Sequence, residues 1–343
     1  MSASVSVSQA APTAERASKS MLWRVATNYL TRRIAKALVT MWLVITLTFF
    51  LIHLMPGNPI DAFISQQMAQ YGVDYKTAKN MAAAIFAVDL HRPLPLQYLD
   101  FMGGLIHGDL GKSLVNTGTP VTTEVLQFLP WTLFCASVGL LISFTVGSVL
   151  GLIMAYRRES AVDHTLSAIG SFLYSVPSFL TATLVVAFLG VQWNLIPFTQ
   201  MRGSLSPGMK ASFSLGFVGD LFFHAALPIA VYVLSTIGSW MLTMKSSTIS
   251  TLEEDYVTVA RARGLQDRRI MSAYVGRNAI LPVFTQLTIS IGFIIGSAAA
   301  IEFVLQYQGV GYLLCAALYP ITWTLQKIFG SGDFLHVVAR KQG

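Results

Sequence analysis

Two stretches of this chain hold the residues whose types and spacing could do chemistry. The first is GDLGKS, Gly108 to Ser113, whose glycines, lysine and serine are the kinds of residue that cradle a phosphate. A phosphate loop also needs a glycine five residues before Gly111, and that position is Ile106, so nucleotide binding is rejected. His91, Asp100, His107 and Asp109 nearby could serve as acids, bases or ligands. Their spacing fits neither an acid–base pair nor a metal site, and they read as solvated polar residues. The second stretch is a polar island, STLEEDYVTVARARGLQDRRIMSAYVGRNAILP, Ser250 to Pro282, between two apolar runs. It carries carboxylates and arginines but no nucleophile beside a base, so what it offers is charge and shape for another surface. Cys135 and Cys315 each lie in an apolar run, far apart and without C-x-x-C spacing, and read as small buried hydrophobes. No Walker A, H-E-x-x-H or G-x-S-x-G motif occurs, so no catalytic residue, metal or cofactor is expected on this chain.

The island must be held by the elements around it. Ser250 with Glu253, and Thr251 with Glu254, have capping-box spacing, which predicts a helix start here. Leu252, Tyr256, Val259 and Arg263 recur at helical spacing and predict one apolar stripe on a helix of about three turns. Gly264 follows, where a glycine can take the left-handed conformation that stops a helix. Asp267 can cap a second helix that carries Ile270, Tyr274 and Asn278 on one side and runs on through Pro282. The expected unit is helix, glycine turn, helix: a compact knob between two spans. Taken alone, an amphipathic helix on the membrane surface, its arginines facing lipid phosphates, fits these residues well.

Composition places the knob in a membrane protein. Of 343 residues, 54% are hydrophobic and 11% charged, against about 25% charged in a soluble domain. The net charge of +7 does not call for nucleic acid, because its sidedness explains it as an orientation signal. Residues 1–20 lack an apolar period and are expected to be a disordered cytoplasmic extension. Five spans are predicted, at Ile34–Leu54, Trp131–Ala155, Thr165–Val191, Phe222–Met244 and Ala279–Ile301, each near the ~20 residues that cross a bilayer. Arg24, Arg32, Arg33 and Lys36 before the first span place the N-terminus inside. Arg157, Arg158, Lys245, Arg261, Arg263, Arg268, Arg269 and Arg277 put the island on the same side, and residues 57–128 form an external segment. Gly139, Ser143, Gly147 and Gly151 make one small-residue stripe for close helix packing, and Gly292, Gly296 and Ala300 a second. Pro177, at membrane depth, kinks the third span. The spans hold almost no ionisable groups, with His53 and Glu302 at span ends, which weighs against proton or sodium coupling. After residue 312 no apolar run reaches spanning length, so 321–343 is an atypical tail.

The pattern D-Y-V-x-x-A-R-A-R-G-L, with Ile280, Leu281 and Pro282 following the glycine, resembles the EAA loop of ABC-importer permeases. LMPGNP after the first span, preceded by Arg32 and Arg33, resembles the opening of the dipeptide, oligopeptide and nickel permeases, specifically the first of their two paired subunits. GDLGKS with the following PV and LP, and the SVPSF element around Pro177, are similar to further elements of that group. EFVLQYQGVG resembles its E-x-V-F-x-x-P-G-L-G segment, with Gln308 where proline is usual. The family has a sixth span after it; here either the terminus departs from that plan or a short helix half-enters the bilayer.

The resemblance implies an all-α polytopic membrane bundle of the type I ABC importer permease fold, with 21–320 as the permease domain. In it, 250–282 would be a cytoplasmic coupling loop docking on a separate ATP-binding subunit through Glu254, Asp255, Tyr256, Ala260, Arg261, Gly264 and Leu265. Ser175, Pro177 and Ser178 would lie near the translocation path, although a plain packing kink fits Pro177 equally. The implied function is import of small peptides across the cytoplasmic membrane. Nickel or oligosaccharide import is the alternative, and a secondary transporter a more distant one. The implied partners are a second permease subunit in a heterodimer, ATP-binding cassette subunits that carry ATP and Mg, an extracytoplasmic substrate-binding protein and the lipid bilayer.

Overall fold

In a computed structural model, the structure describes residues 29–54, 59–86, 92–113, 116, 118–209, 212 and 214–316. The expected N-terminal extension, the tail at 321–343 and the sixth-span question lie outside these residues. The helices are α1 (Tyr29–Leu54), α2 (Pro59–Tyr71), α3 (Tyr75–Phe86), α4 (Leu94–Ile106), α5 (Val121–Tyr156), α6 (Ala161–Ser175) and α7 (Ser178–Leu184), the last continuing as a π-helical stretch, Val185–Gln192. Then come α8 (Leu215–Leu252), α9 (Asp255–Ala262), α10 (Asp267–Arg269), a second π-helical stretch Ile270–Gly276, and α11 (Arg277–Leu305). The described residues hold no strand, only an isolated bridge between Lys112 and Pro120.

The chain divides into two compact units, residues 1–75 and 76–343. In the first, α1 starts at Tyr29, five residues before the expected start, because Arg32, Arg33 and Lys36 continue the helix into its charged flank. From Ala37 on it is apolar on all sides but for scattered threonines, and the Phe49 ring stacks on His53 at 4.1 Å near its end. The segment 57–128 of the sequence reading contains α2, in this unit, and α3 (all but Tyr75), α4 and the GDLGKS string, in the second. The GDLGKS string is a turn, with Asp109 Oδ1 accepting from the Gly111 amide at 2.9 Å.

The second unit is built on α5 and α8. They have 36 and 38 residues, which at ~1.5 Å per residue makes them about 54 and 57 Å long, well beyond the ~30 Å hydrocarbon core. Both exceed the expected spans at each end. The stripe of Gly139, Ser143, Gly147 and Gly151 explains how they pack. A Cβ at Gly147 would stand 2.6 Å from Trp240 Cβ, one at Gly139 2.7 Å from Tyr232 Cβ, and one at Gly151 would meet the Met241 carbonyl. Within the stripe, Thr236 Oγ1 donates to Ser143 Oγ at 2.8 Å. Gly151→Leu is therefore expected to destabilise the chain by about 3 kcal/mol, read as a lower Tm in detergent. Gly292→Leu in the same assay is expected to leave Tm unchanged. Of the second predicted stripe, Gly292 and Gly296 make no packing surface among the described residues: a Cβ at either meets nothing within 4 Å, while Ala300 is half-buried.

The third predicted span is two helices. Ser160 caps α6, its Oγ accepting from the Asp163 amide at 3.3 Å. The chain then turns extended at Val176 and Pro177, and the two halves meet at 101°. Proline explains the depth of the break, since it supplies no amide and disfavours the helical conformation at the residue before it. A milder bend of 59° divides the last span at 293–296. Among the described residues, three helices (α1, α5 and α8) are long and apolar enough to cross a membrane, or up to five crossings when each bent pair counts as one. The core of the second unit joins Cys135 and Ala136 of α5, Ala182 of α7, Ala225, Val231 and Tyr232 of α8 and Ala298, Ile301 and Leu305 of α11. Cys135 is fully buried in it, while Cys315 is half-buried, its thiol donating to the Ala299 carbonyl at 3.4 Å.

Candidate functional site

The knob forms, but its boundaries differ from the capping-box prediction. Ser250, Thr251 and Leu252 are the last turn of α8. Their hydroxyls turn back along the helix instead of capping: Ser250 Oγ donates to the Ser246 carbonyl at 3.2 Å and Thr251 Oγ1 to that of Ser247 at 2.8 Å. Only Glu253 and Glu254 separate α8 from α9, and Glu254 occupies the N-cap position without a side-chain cap. The α9 helix is thus 8 residues long, about two turns. Gln266, not Asp267, precedes α10.

The inward face also differs from the predicted stripe. Val257 and Ala260 point inward and join Ile270 and Val275 in a small core, with Leu252, Leu265, Met271 and Tyr274 packed around it. Tyr256 and Val259 face out, 38% and 54% exposed. The apolar period was correct for a helix, but the side closed over by the following segment is the one bearing the two smaller residues.

Gly264 behaves as expected. Its φ is +70°, the Gly264 amide donates to the Arg261 carbonyl at 2.9 Å, and the Leu265 amide reaches back to the Ala260 carbonyl at 3.3 Å. These two bonds are the Schellman pattern, and Leu265 supplies its usual apolar contact. The knob is fastened to both neighbouring spans. Leu252 at the end of α8 packs on its core and Asn278 Nδ2 of α11 donates to Tyr256 Oη at 2.9 Å, while Ser247 Oγ of α8 donates to the Ala279 carbonyl at 2.7 Å and joins the two spans to each other.

Of the residues singled out for docking, Glu254, Asp255, Tyr256, Arg261 and Gly264 are exposed together, with Leu265 half-buried. Ala260, 3% exposed, is turned into the knob's own core and holds the helix down instead of facing outward. Ser175, Pro177 and Ser178 sit on a separate element, the α6–α7 break, where Ser175 Oγ bonds back to the Ser171 carbonyl at 2.7 Å.

Sequence reasoning missed three anchored charges inside the long helices. Glu302, expected at a span end, is fully buried, and its Oε2 accepts from the amides of Gly311 at 2.8 Å and Tyr312 at 3.2 Å. Thr132 Oγ1 beside it accepts from the Val310 amide at 2.9 Å. The signal for this clamp was the glycine pair Gly309 and Gly311: a Cβ at the first would strike Glu302 and Thr132, and one at the second the Ala299 backbone. Asp220 of α8 accepts from the Ser206 amide at 2.9 Å. Lys245 of α8 pairs with Asp163 at 2.6 Å. Asp220, Lys245 and Glu302 each lie within two residues of a predicted span end, and all three are fastened within the chain.

Comparison with known proteins agrees with this architecture. Residues 147–321 match the family described as "Binding-protein-dependent transport system inner membrane component", and residues 26–135 match the N-terminal component of such membrane proteins. The chain is 34% identical over 289 residues to a putative peptide permease protein of Brucella suis, covering 83% of this chain and 86% of the relative. It is 30% identical over 312 residues to the di/tripeptide transport system permease protein of Pseudomonas aeruginosa, with 86% and 89% covered. It is 28% identical over 311 residues to the dipeptide transport system permease protein of Escherichia coli K12, with the same coverage. A long helical pair closed by glycines, a glycine-stopped knob between spans and these matches lead to one conclusion: this chain belongs to the family of inner membrane components of binding-protein-dependent transport systems.

Proposed function

We propose that the chain is the permease subunit of an ATP-driven ABC importer that moves small peptides across the cytoplasmic membrane. The named relatives are peptide, di/tripeptide and dipeptide permeases, which favours peptides over nickel or oligosaccharides. In this reading the N-terminus and the knob face the cytoplasm, as the flanking arginines and lysines favour. A second permease subunit pairs with this one, a binding protein delivers substrate from outside, and separate subunits bind ATP and Mg and hydrolyse the nucleotide. The permease itself carries no cofactor and no catalytic residue.

One observation carries the reading. The exposed surface of Glu254, Asp255, Tyr256 and Val259 is rigidly backed by a closed core and tied to α8 and α11 at once. A push on that surface cannot be absorbed by loop flexibility; it is passed to two spans as a rigid-body tilt. ATP-driven closure of the docked subunits would move the knob and open the path outward, and hydrolysis would reset it. The engagement of Lys245 and Asp220 within the chain favours this mechanical coupling over an ion-coupled carrier.

The test places a photo-crosslinking residue at Val259 in the assembled transporter. The expected product joins this chain to an ATP-binding subunit, and a cysteine at the same position reacts only from the cytoplasmic side. Crosslinks to lipid alone, or labelling of intact cells from outside, would overturn the proposal.

A further inference from the structure

The exposed knob accounts for α8 and α11 but not for how movement would reach the break at Pro177, which lies on neither. The answer lies where α6 and α8 run antiparallel. Their backbones meet at Gly170 and Gly238: a Cβ at Gly238 would strike the Gly170 carbonyl and stand 3.1 Å from the Tyr174 amide. Seven residues away on each helix, about 10 Å toward the knob, Lys245 Nζ meets Asp163 Oδ1 at 2.6 Å. Lys245 also donates to Ser167 Oγ at 2.9 Å, and Ser167 to Asp163 Oδ1 at 3.2 Å. Asp163 Oδ2 in turn accepts from the amide of Glu159, a non-glycine residue held at a φ of +67°. Asp163 is 3% exposed and joins α6, its preceding turn and α8.

An ion pair with a buried carboxylate and a partly buried ammonium is weak grounds for stability, because apolar residues of similar volume often serve as well; its attested use is to fix register. Here it fixes the register of two helices with different duties. One leads directly into the knob, seven residues before the end of α8 at Leu252. The other ends at the 101° break that carries Ser175, Pro177 and Ser178. The geometry points to Asp163 and Lys245 as positioning residues that, with the Gly170–Gly238 contact, make α6 and the lower half of α8 one rigid arm transmitting knob movement to the Pro177 break. This inference rests on the proposed coupling function. Coupling through two discrete packed contacts is a physical link with a defined breaking point, not mere proximity.

The experiment reconstitutes the complete transporter and measures peptide uptake per ATP hydrolysed, with the Val259 crosslink as a check on docking. Lys245→Met is expected to lower that ratio at least tenfold while the crosslink and hydrolysis persist. Lys245→Arg, which keeps the charge, is expected to stay within about threefold of wild type. Asp163→Asn, which keeps the acceptor for the Glu159 amide, serves where the methionine variant fails to assemble, and the same loss is expected. An unchanged ratio in Lys245→Met or Asp163→Asn would overturn the inference. So would an arginine variant as damaged as the methionine one, or uptake and hydrolysis falling in proportion. Absence of the crosslink in the wild type would instead overturn the docking reading itself.

Discussion

Gly264→Val is expected to cut uptake by about tenfold or more while leaving insertion and the fold of the spans intact. The cause is confined to one torsion. Gly264 sits at a φ of +70°, and a Cβ there would meet no other atom within 4 Å, so neighbours impose no steric penalty. An L-residue in that conformation costs roughly 1–2 kcal/mol, a branched one more, and 1.4 kcal/mol is already a factor of ten in the population of the turn. Without the turn, the bonds from Gly264 and Leu265 to Arg261 and Ala260 are lost, and Leu265 leaves the small core that backs α9. The effect should therefore be graded. Gly264→Asn stays close to wild type because asparagine tolerates the left-handed region, Gly264→Ala falls between, and Gly264→Val is worst. Uptake in vesicles, normalised to protein inserted, checks the order. Equal uptake across the three would mean that the turn is not what holds the proposed docking surface.

The largest loss of stability is expected at the opposite end of the molecule. Gly311→Ala drives a methyl group into the Ala299 backbone, which cannot rotate away as a side chain could. Glu302→Ala removes the acceptor for the Gly311 and Tyr312 amides from a fully buried site. Stranding one buried and one partly buried donor at ~1–3 kcal/mol each, with a cavity in addition, gives a destabilisation of about 4 kcal/mol for Glu302→Ala. Gly311→Ala should match it. Thermal unfolding in detergent measures both, and a Tm within two degrees of wild type for either would show that the segment after α11 is free to move off Glu302. Glu302→Gln keeps an acceptor and much of the shape, and its loss should be smaller than that of Glu302→Ala.

What the sequence disclosed and what it withheld follow one physical division. Several features that depend on a single residue's backbone freedom or bulk were legible: the stop at Gly264, the break at Pro177 and close helix packing along Gly139, Gly147 and Gly151, though not its partner α8, while Gly292 and Gly296 at the same spacing face no described neighbour. Features that depend on which competitor wins a shared group were not. Ser250 and Thr251 had the spacing to cap a helix, yet a long apolar helix already in progress offered their hydroxyls carbonyls four residues back, and α8 ran on. Tyr256 and Val259 had the period of a buried stripe, but the π-helical stretch from Ile270 closed over Val257 and Ala260. Glu302 was marked as a buried anchor only indirectly, through Gly309 and Gly311, because its partners are backbone amides, which no residue type announces.

The closed core behind α9 has a consequence for association. A segment that folds only on meeting its partner gives up roughly 1–2 kcal/mol of backbone entropy for each residue ordered, and that loss is deducted from affinity. Here the eight residues of α9 are ordered beforehand by Val257, Ala260 and the glycine stop. Under the proposed docking, a surface that received Tyr256 and Val259 would receive a finished shape, so contact could be brief and repeated without a folding step each time.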